Sequence, residues 1–282
     1  MTSSVPAKVG VIGGGRMGAG IAQVFAGAGA AVVVVERDEA SVATARSRLE
    51  DGVAKAAARI ETLDADLVLG RLSVEADYDV LEPVDLVVEA VPEVLDLKLD
   101  ALARAAGIVA ESAWLTTNTS ALPVTALAET LRRPERFCGL HFFNPVPPSA
   151  LVEIVRTEHT AQGLLREAQG WVAALGKTAV VVRDAPGFAS SRLGLAIALE
   201  AMRMLEEGVA SAADIDAAMV LGYRHATGPL RTSDLVGLDV RLGIAEFLHE
   251  SLGDRFAPPQ ILRDKVAAGE LGRKTGQGFF EY

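Results

Sequence analysis

Residues 9–36 constrain this chain more than any other stretch. A short β-branched run, 9–12, ends in Gly13-Gly14-Gly15, and an apolar helical pattern follows through Met17, Ile21, Ala22, Val24 and Phe25. Gly27 and Gly29 close that pattern. Residues 31–35 are then a continuous apolar run, as in a parallel strand buried on both faces, and Glu36 ends it. Strand, glycine-rich turn, helix, strand and acid make one βαβ unit. In Gly13-x-Gly15-x-x-Gly18 the first glycine makes the tight turn. The second lets a pyrophosphate approach the backbone at the helix N-terminus, and the third lets helix and strand pack closely. Glu36, twenty-three residues after Gly13, is placed to accept hydrogen bonds from adenosine ribose hydroxyls. A glycine-rich turn alone is a weak signal; with this strand, helix and acid around it the signal is strong. The carboxylate would repel a 2′-phosphate, so NAD is expected over NADP, with Arg37 either covering the adenine or meeting a phosphate.

Further along, residues 40–72 read as a long helix and its continuation, 85–90 (DLVVEA) as a buried strand and 94–105 as a helix. Residues 114–117 and 138–142 read as strands separated by a helix near Leu127. Residues 152–155 and 179–182 read as further strands, with a helix at 163–175 between them. At Asp184-Ala185-Pro186-Gly187 the character changes, because proline lacks the strand donor and glycine is permissive. Beyond it, 191–207, 211–221, 234–252 and 259–268 read as helices. The expected fold is α/β: a Rossmann-type domain with a mostly parallel sheet over residues 1–185, then an all-α domain over 186–282.

The bulk properties exclude several classes. A chain of 282 residues has room for two domains, and half its residues are apolar. A net charge of -10 argues against nucleic acid as a partner. The single cysteine, Cys138, cannot form an internal disulfide and suits a reducing cytoplasm; it reads as core rather than nucleophile. No apolar run approaches the ~20 residues needed to cross a bilayer. The opening stretch, MTSSVPAKVGVIG, has no charged n-region or cleavage site. A cytoplasmic protein without membrane contact is expected. No Cys or His spacing indicates a metal.

His141 stands in Leu140-His141-Phe142-Phe143-Asn144-Pro145, at the C-terminal end of an expected strand, where open α/β sheets bind ligands. An imidazole suits proton abstraction near neutral pH. Glu153, twelve residues later in the next strand, can hold the other ring nitrogen and stabilise an imidazolium. With a nicotinamide alongside, this pair is enough to take a proton and a hydride from an alcohol. His159, His225 and His249 have no comparable setting.

The chain resembles, nearly end to end, the 3-hydroxyacyl-CoA dehydrogenase family, including the 3-hydroxybutyryl-CoA dehydrogenases. The resemblance rests on VGVIGGGRMGAGIAQ, DLVVEAVPE, TNTSALP, HFFNPVPPSALVE, DAPGF and GRKTGQGFFEY, in that order. It implies NAD-dependent oxidation of an L-3-hydroxyacyl-CoA to the 3-ketoacyl-CoA. His141 would be the general base, Glu153 would orient it, and Ser120 would hydrogen-bond the substrate oxygen near the nicotinamide. Asn144 would support the active-site loop. Glu93, Lys98 and Lys274 match cofactor-contacting positions, with Gly13, Gly15, Met17, Gly18 and Glu36; read without the resemblance, the three charged residues are solvated surface groups. The helical domain resembles the part through which these enzymes form homodimers.

Two departures stand out. The family pattern P-G-F-x-x-N-R places an asparagine for the substrate carbonyl where this chain has Ser191, which is shorter but can still donate. The early helix lacks the family's serine and lysine for the CoA nucleotide, leaving only Lys55 and Arg59, with Glu50 and Asp51 nearby. Three readings follow: an acyl-CoA dehydrogenase of this type, a dehydrogenase of a hydroxyacyl group on a carrier protein or of a free hydroxy acid, or a non-catalytic NAD-binding subunit.

Overall fold

The computed structural model describes residues 4–282, so the first three residues of the opening stretch lie outside the described residues. The chain forms two compact units, one ending at Ala185 and one spanning Pro186–Tyr282.

In the first unit β1 (Lys8–Ile12) runs through the glycine-rich turn into α1 (Arg16–Gly27), and β2 (Ala31–Val35) pairs with β1 in parallel. Four of the five residues of β1 are buried because helices cover both faces of the sheet there. Asp38 caps α2 (Glu39–Ala57), its carboxylate accepting from Ser41 N–H at 2.7 Å. Asp64 caps the short α3 (Ala65–Leu69) in the same way.

The long helix and continuation expected over 40–72 form as α2 and α3 with a break at residues 58–64, but the helical reading fails at residue 72. Residues Leu72–Glu75 are a strand, β3, pairing in parallel with β2 at the edge of the sheet. Only Val74 of its four residues is buried, so the strand carries too little apolar pattern to announce itself. Then come β4 (Leu86–Glu89), α4 (Leu95–Ile108), β5 (Trp114–Thr117), α5 (Val124–Ala128) and β6 (Phe137–Phe142). The unit closes with β7 (Leu151–Arg156), α6 (Gln162–Ala174) and β8 (Thr178–Arg183).

The eight strands lie in the order β3-β2-β1-β4-β5-β6-β7-β8. Every pairing is parallel except β6 with β7. The chain crosses from one side of β1 to the other between β3 and β4, which opens a crevice beyond the carboxyl ends of β1 and β4. The core contains Val9, Ile21, Phe25, Val34, Val88, Leu140 and Trp171.

The second unit contains α7 (Ser190–Glu206), α8 (Ala212–Tyr223), α9 (Pro229–Val236), α10 (Leu238–Leu252) and α11 (Gln260–Ala267). The helix expected over 234–252 is two helices. Gly237 adopts φ +108 between α9 and α10, a conformation that L side chains rarely adopt, and the chain turns there. Leu195, Leu199, Met202, Leu230, Leu238 and Leu248 form this unit's core. Asp234 is almost fully buried and accepts from the backbone N–H groups of Phe279 and Phe280, both at 2.9 Å, which fastens the C-terminal segment to α9. Among the described residues no helix is long and apolar enough to cross a membrane.

Candidate active site

The antiparallel pairing of β6 with β7 sets His141 directly opposite Glu153. Opposed residues project to the same face, and here the side chains meet: His141 Nδ1 lies 2.8 Å from Glu153 Oε2, with both groups buried. A neutral imidazole that donates Nδ1–H to this carboxylate carries its lone pair on Nε2. Phe143 stacks on the ring at a tilt, with centroids 4.4 Å apart. The loop between the two strands is fastened from two sides. A Cβ at Gly20 of α1 would sit 2.8 Å from Val146 Cβ, so helix and loop touch. Behind the loop, Lys177 Nζ donates to the carbonyls of Val146, Pro147 and Ser149 at 2.8, 3.2 and 2.5 Å. Burial pushes the Lys177 ammonium below its ordinary value.

At the carboxyl ends of β4 and β5 lies a second polar cluster. Lys98 is 1% exposed; its Nζ donates to Glu89 Oε1 at 2.9 Å and Oε2 at 3.2 Å, and lies 3.3 Å from Glu93 Oε2. Glu89 also accepts from Val91 N–H at 2.7 Å and Thr117 Oγ1 at 2.5 Å. Glu93 accepts from Thr119 Oγ1 at 2.5 Å and from the N–H groups of Ser120 and Ala121 at 2.8 and 3.0 Å. Burial would raise the Glu93 pKa, but Lys98 and these donors outweigh it and hold the carboxyl below its ordinary value. The cluster therefore shapes the turn that presents the exposed Ser120. Asn118 ties the neighbouring strand in, its side-chain oxygen accepting from Phe142 N–H at 2.9 Å.

The glycine-rich turn fits a dinucleotide. Gly13 has φ +93, and a Cβ there would lie 3.0 Å from Ala90 O. A Cβ at Gly18 would overlap Gly13 O, whereas at Gly15 it would meet nothing within 4 Å. The turn is thus closed where it packs and open at the N-terminus of α1, where an anion is favoured. Glu36, at the end of β2, accepts from Gly14 N–H at 2.7 Å through Oε1. Arg37 Nε is taken by Asp38 Oδ2 at 3.1 Å and Ser41 Oγ at 3.3 Å. Beside them opens a pocket of about 390 Å³.

The model of the NAD binding domain of 3-hydroxyacyl-CoA dehydrogenase matches residues 8–185, and that of its C-terminal domain matches residues 187–282. The chain belongs to the 3-hydroxyacyl-CoA dehydrogenase family. It is 41% identical over 277 residues to a probable 3-hydroxybutyryl-CoA dehydrogenase of Deinococcus radiodurans, covering 98% of this chain and 100% of that one. It is 40% identical over 280 residues to a 3-hydroxybutyryl-CoA dehydrogenase of Mycobacterium tuberculosis, covering 98% of each. The crystal structure of (S)-3-hydroxybutyryl-CoA dehydrogenase from Ralstonia eutropha superposes with a TM-score of 0.93 at 38% identity, over 98% of this chain and 99% of that one.

The chain is therefore an NAD-dependent oxidoreductase. In this dehydrogenase the first unit brings together His141 and Glu153, and separately Glu93, Lys98 and the Ser120 turn. Asn144 is exposed in the loop after β6, and Met17 packs partly against the core from α1. Ser191, the second residue of α7, and Lys274 belong to the second unit, where Lys274 Nζ bonds Asp239 Oδ1 at 2.5 Å. Lys98 is not the solvated charge that a local reading of its helix allows. Sequence reasoning missed Glu89, Asn118 and Lys177. An acid closing the apolar run of DLVVEA, nine residues before a lysine, is a signal that could have found Glu89; Lys177 has none.

Proposed function

We propose that this enzyme oxidises an L-3-hydroxyacyl-CoA to the 3-ketoacyl-CoA, reversibly, with His141 as general base. The observation that carries the reading is the 2.8 Å bond between His141 Nδ1 and Glu153 Oε2, made across paired strands in a unit that also bears the dinucleotide turn. The nicotinamide, when bound, would supply the acceptor for the C3 hydride. His141 Nε2 takes the proton of the 3-hydroxyl, and Glu153 stabilises the resulting imidazolium while holding the ring in place. The Ser120 hydroxyl hydrogen-bonds the substrate oxygen, and Asn144 supports the loop beside it. The products are the ketone, NADH and one proton, which His141 returns to solvent. Gly13, Gly15, Met17, Glu36 and Glu93 line the cofactor's path, while Gly18 packs the turn closed and the buried Lys98 acts behind it through Glu93. Neighbouring apolar side chains left exposed on the helical unit, Leu221 at 81% and Tyr223 at 76%, support assembly as a homodimer. The lone Cys138, buried and with its thiol pushed up to about 12 by burial, supports a reducing, cytoplasmic setting.

The test is NADH oxidation with acetoacetyl-CoA beside the same acyl group on N-acetylcysteamine and on an acyl carrier protein. Fast turnover of the CoA thioester, abolished in His141→Gln with NADH binding kept, is expected. A carrier-bound substrate turned over faster than the CoA thioester would replace the substrate class. Full activity in His141→Gln would remove the base from its role.

A further inference from the structure

We infer that Arg48, on α2, is a positioning residue that orients the glycine-rich turn for the cofactor's pyrophosphate. The inference rests on the proposed NAD site and adds a residue that the glycine motif does not contain. Helix α2 lies hard against the turn: a Cβ at Gly14 would sit 2.5 Å from Ala45 Cβ. One helical turn beyond Ala45, Arg48 Nη1 donates to Gly14 O at 2.7 Å. Gly14 N–H is already held by Glu36 at 2.7 Å, so side chains grip both backbone polar groups of this one glycine.

The grip has a directional consequence. In a trans peptide the carbonyl and the following N–H point opposite ways. Holding Gly14 O toward α2 therefore turns Gly15 N–H away from α2. Gly15 is the N-cap of α1, on the side where a Cβ would meet no atom within 4 Å. That open side at a helix N-terminus is where a pyrophosphate gains from aligned N–H donors and from the dipole. The same guanidinium lines the 390 Å³ pocket with Glu36, Asp38, Ser41 and Thr44, beyond the end of β2. Arg37 is tied to Asp38 and Ser41 through its Nε, so the arginine bonded to the turn is Arg48. An exposed arginine usually adds little. This one acts on a peptide whose direction decides where a donor points. Its planar fork can bond a carbonyl while the rest of the group faces a pocket, which an ammonium cannot reproduce.

The experiment compares wild type, Arg48→Met and Arg48→Lys by NADH fluorescence titration, with ADP and AMP as competitors. AMP reaches only the adenosine pocket and its single phosphate, whereas ADP extends to the turn. Arg48→Met is expected to weaken NADH and ADP about tenfold and AMP less than about twofold, from the loss of one charge-assisted hydrogen bond. The KM for acetoacetyl-CoA should not move, and Arg48→Lys should recover part of the loss. Unchanged NADH and ADP affinity in Arg48→Met would overturn the inference. An equal loss for AMP and ADP would overturn it too, since Arg48 would then only cover the adenosine. Failure of the wild type to bind NADH would strike the cofactor site itself, a separate result from either.

Discussion

Replacing Lys98 with methionine strips the cation from a carboxylate that has no water to turn to. Glu89 is fully buried, and Lys98 supplies one contact to each of its oxygens, at 2.9 and 3.2 Å. After the substitution Oε1 keeps only Val91 N–H and Oε2 only the Thr117 hydroxyl. Removing one partner of a buried ion pair costs about 3–5 kcal/mol, because the other charge stays buried. Glu93 adds little to that cost, since its side chain is 38% exposed and water can replace the ammonium. Both tryptophans of the chain, Trp114 and Trp171, lie in the first unit, so their fluorescence reports its unfolding in urea without interference from the second. With a slope of about 2 kcal/mol per molar urea, the midpoint should fall by about 1.5–2.5 M in Lys98→Met. Lys98→Met combined with Glu89→Gln removes the stranded charge and should regain about 2 kcal/mol over the sum of the single losses. Purely additive costs, or a loss under about 1 kcal/mol in Lys98→Met, would refute a buried pair and make Lys98 an ordinary helix residue.

Three further predictions use the same geometry. Glu36→Ala removes the proposed ribose acceptor together with the hold on Gly14 N–H at 2.7 Å, so NADH affinity should fall about tenfold and the preference over NADPH should narrow. An unchanged ratio of the two affinities would move the determinant elsewhere. Ser191→Asn installs the asparagine that the resemblance implies at that position, and acetoacetyl-CoA turnover should be similar or higher; a sharp loss would mean that the enzyme is shaped for another substrate. The Glu93 carboxyl is held below its ordinary value of 4.5, so its stabilisation is complete above pH 4.5 and is lost as pH falls through the lowered value. Urea midpoints read by tryptophan should therefore drop more steeply below pH 4.5 in wild type than in Glu93→Gln. Equal slopes would show that the carboxylate contributes nothing to that dependence.

What could be read in advance was what leaves a local trace. The βαβ unit declares itself because a strand buried on both faces must be apolar throughout and a turn at φ +93 needs glycine. The edge strand β3 left none, since its single buried residue, Val74, sets no period. The break at Gly237 was missed because apolar residues continue on both sides of it. The site followed the same division. His141 and Glu153 could be paired as a base and its partner from their spacing, but their contact depends on β6 and β7 being the one antiparallel pair in the sheet. A parallel crossover over eight intervening residues would be too short to form, so the reversal of direction and the His141–Glu153 contact come from the same loop. That loop is held by Lys177, whose partners are carbonyls 28–31 residues earlier in the chain. A carbonyl bears no sequence signature, and neither does the lysine that collects three of them. A candidate base and its carboxylate can thus be read from their own chemistry, whereas the groups that hold their loop can be read only from the fold.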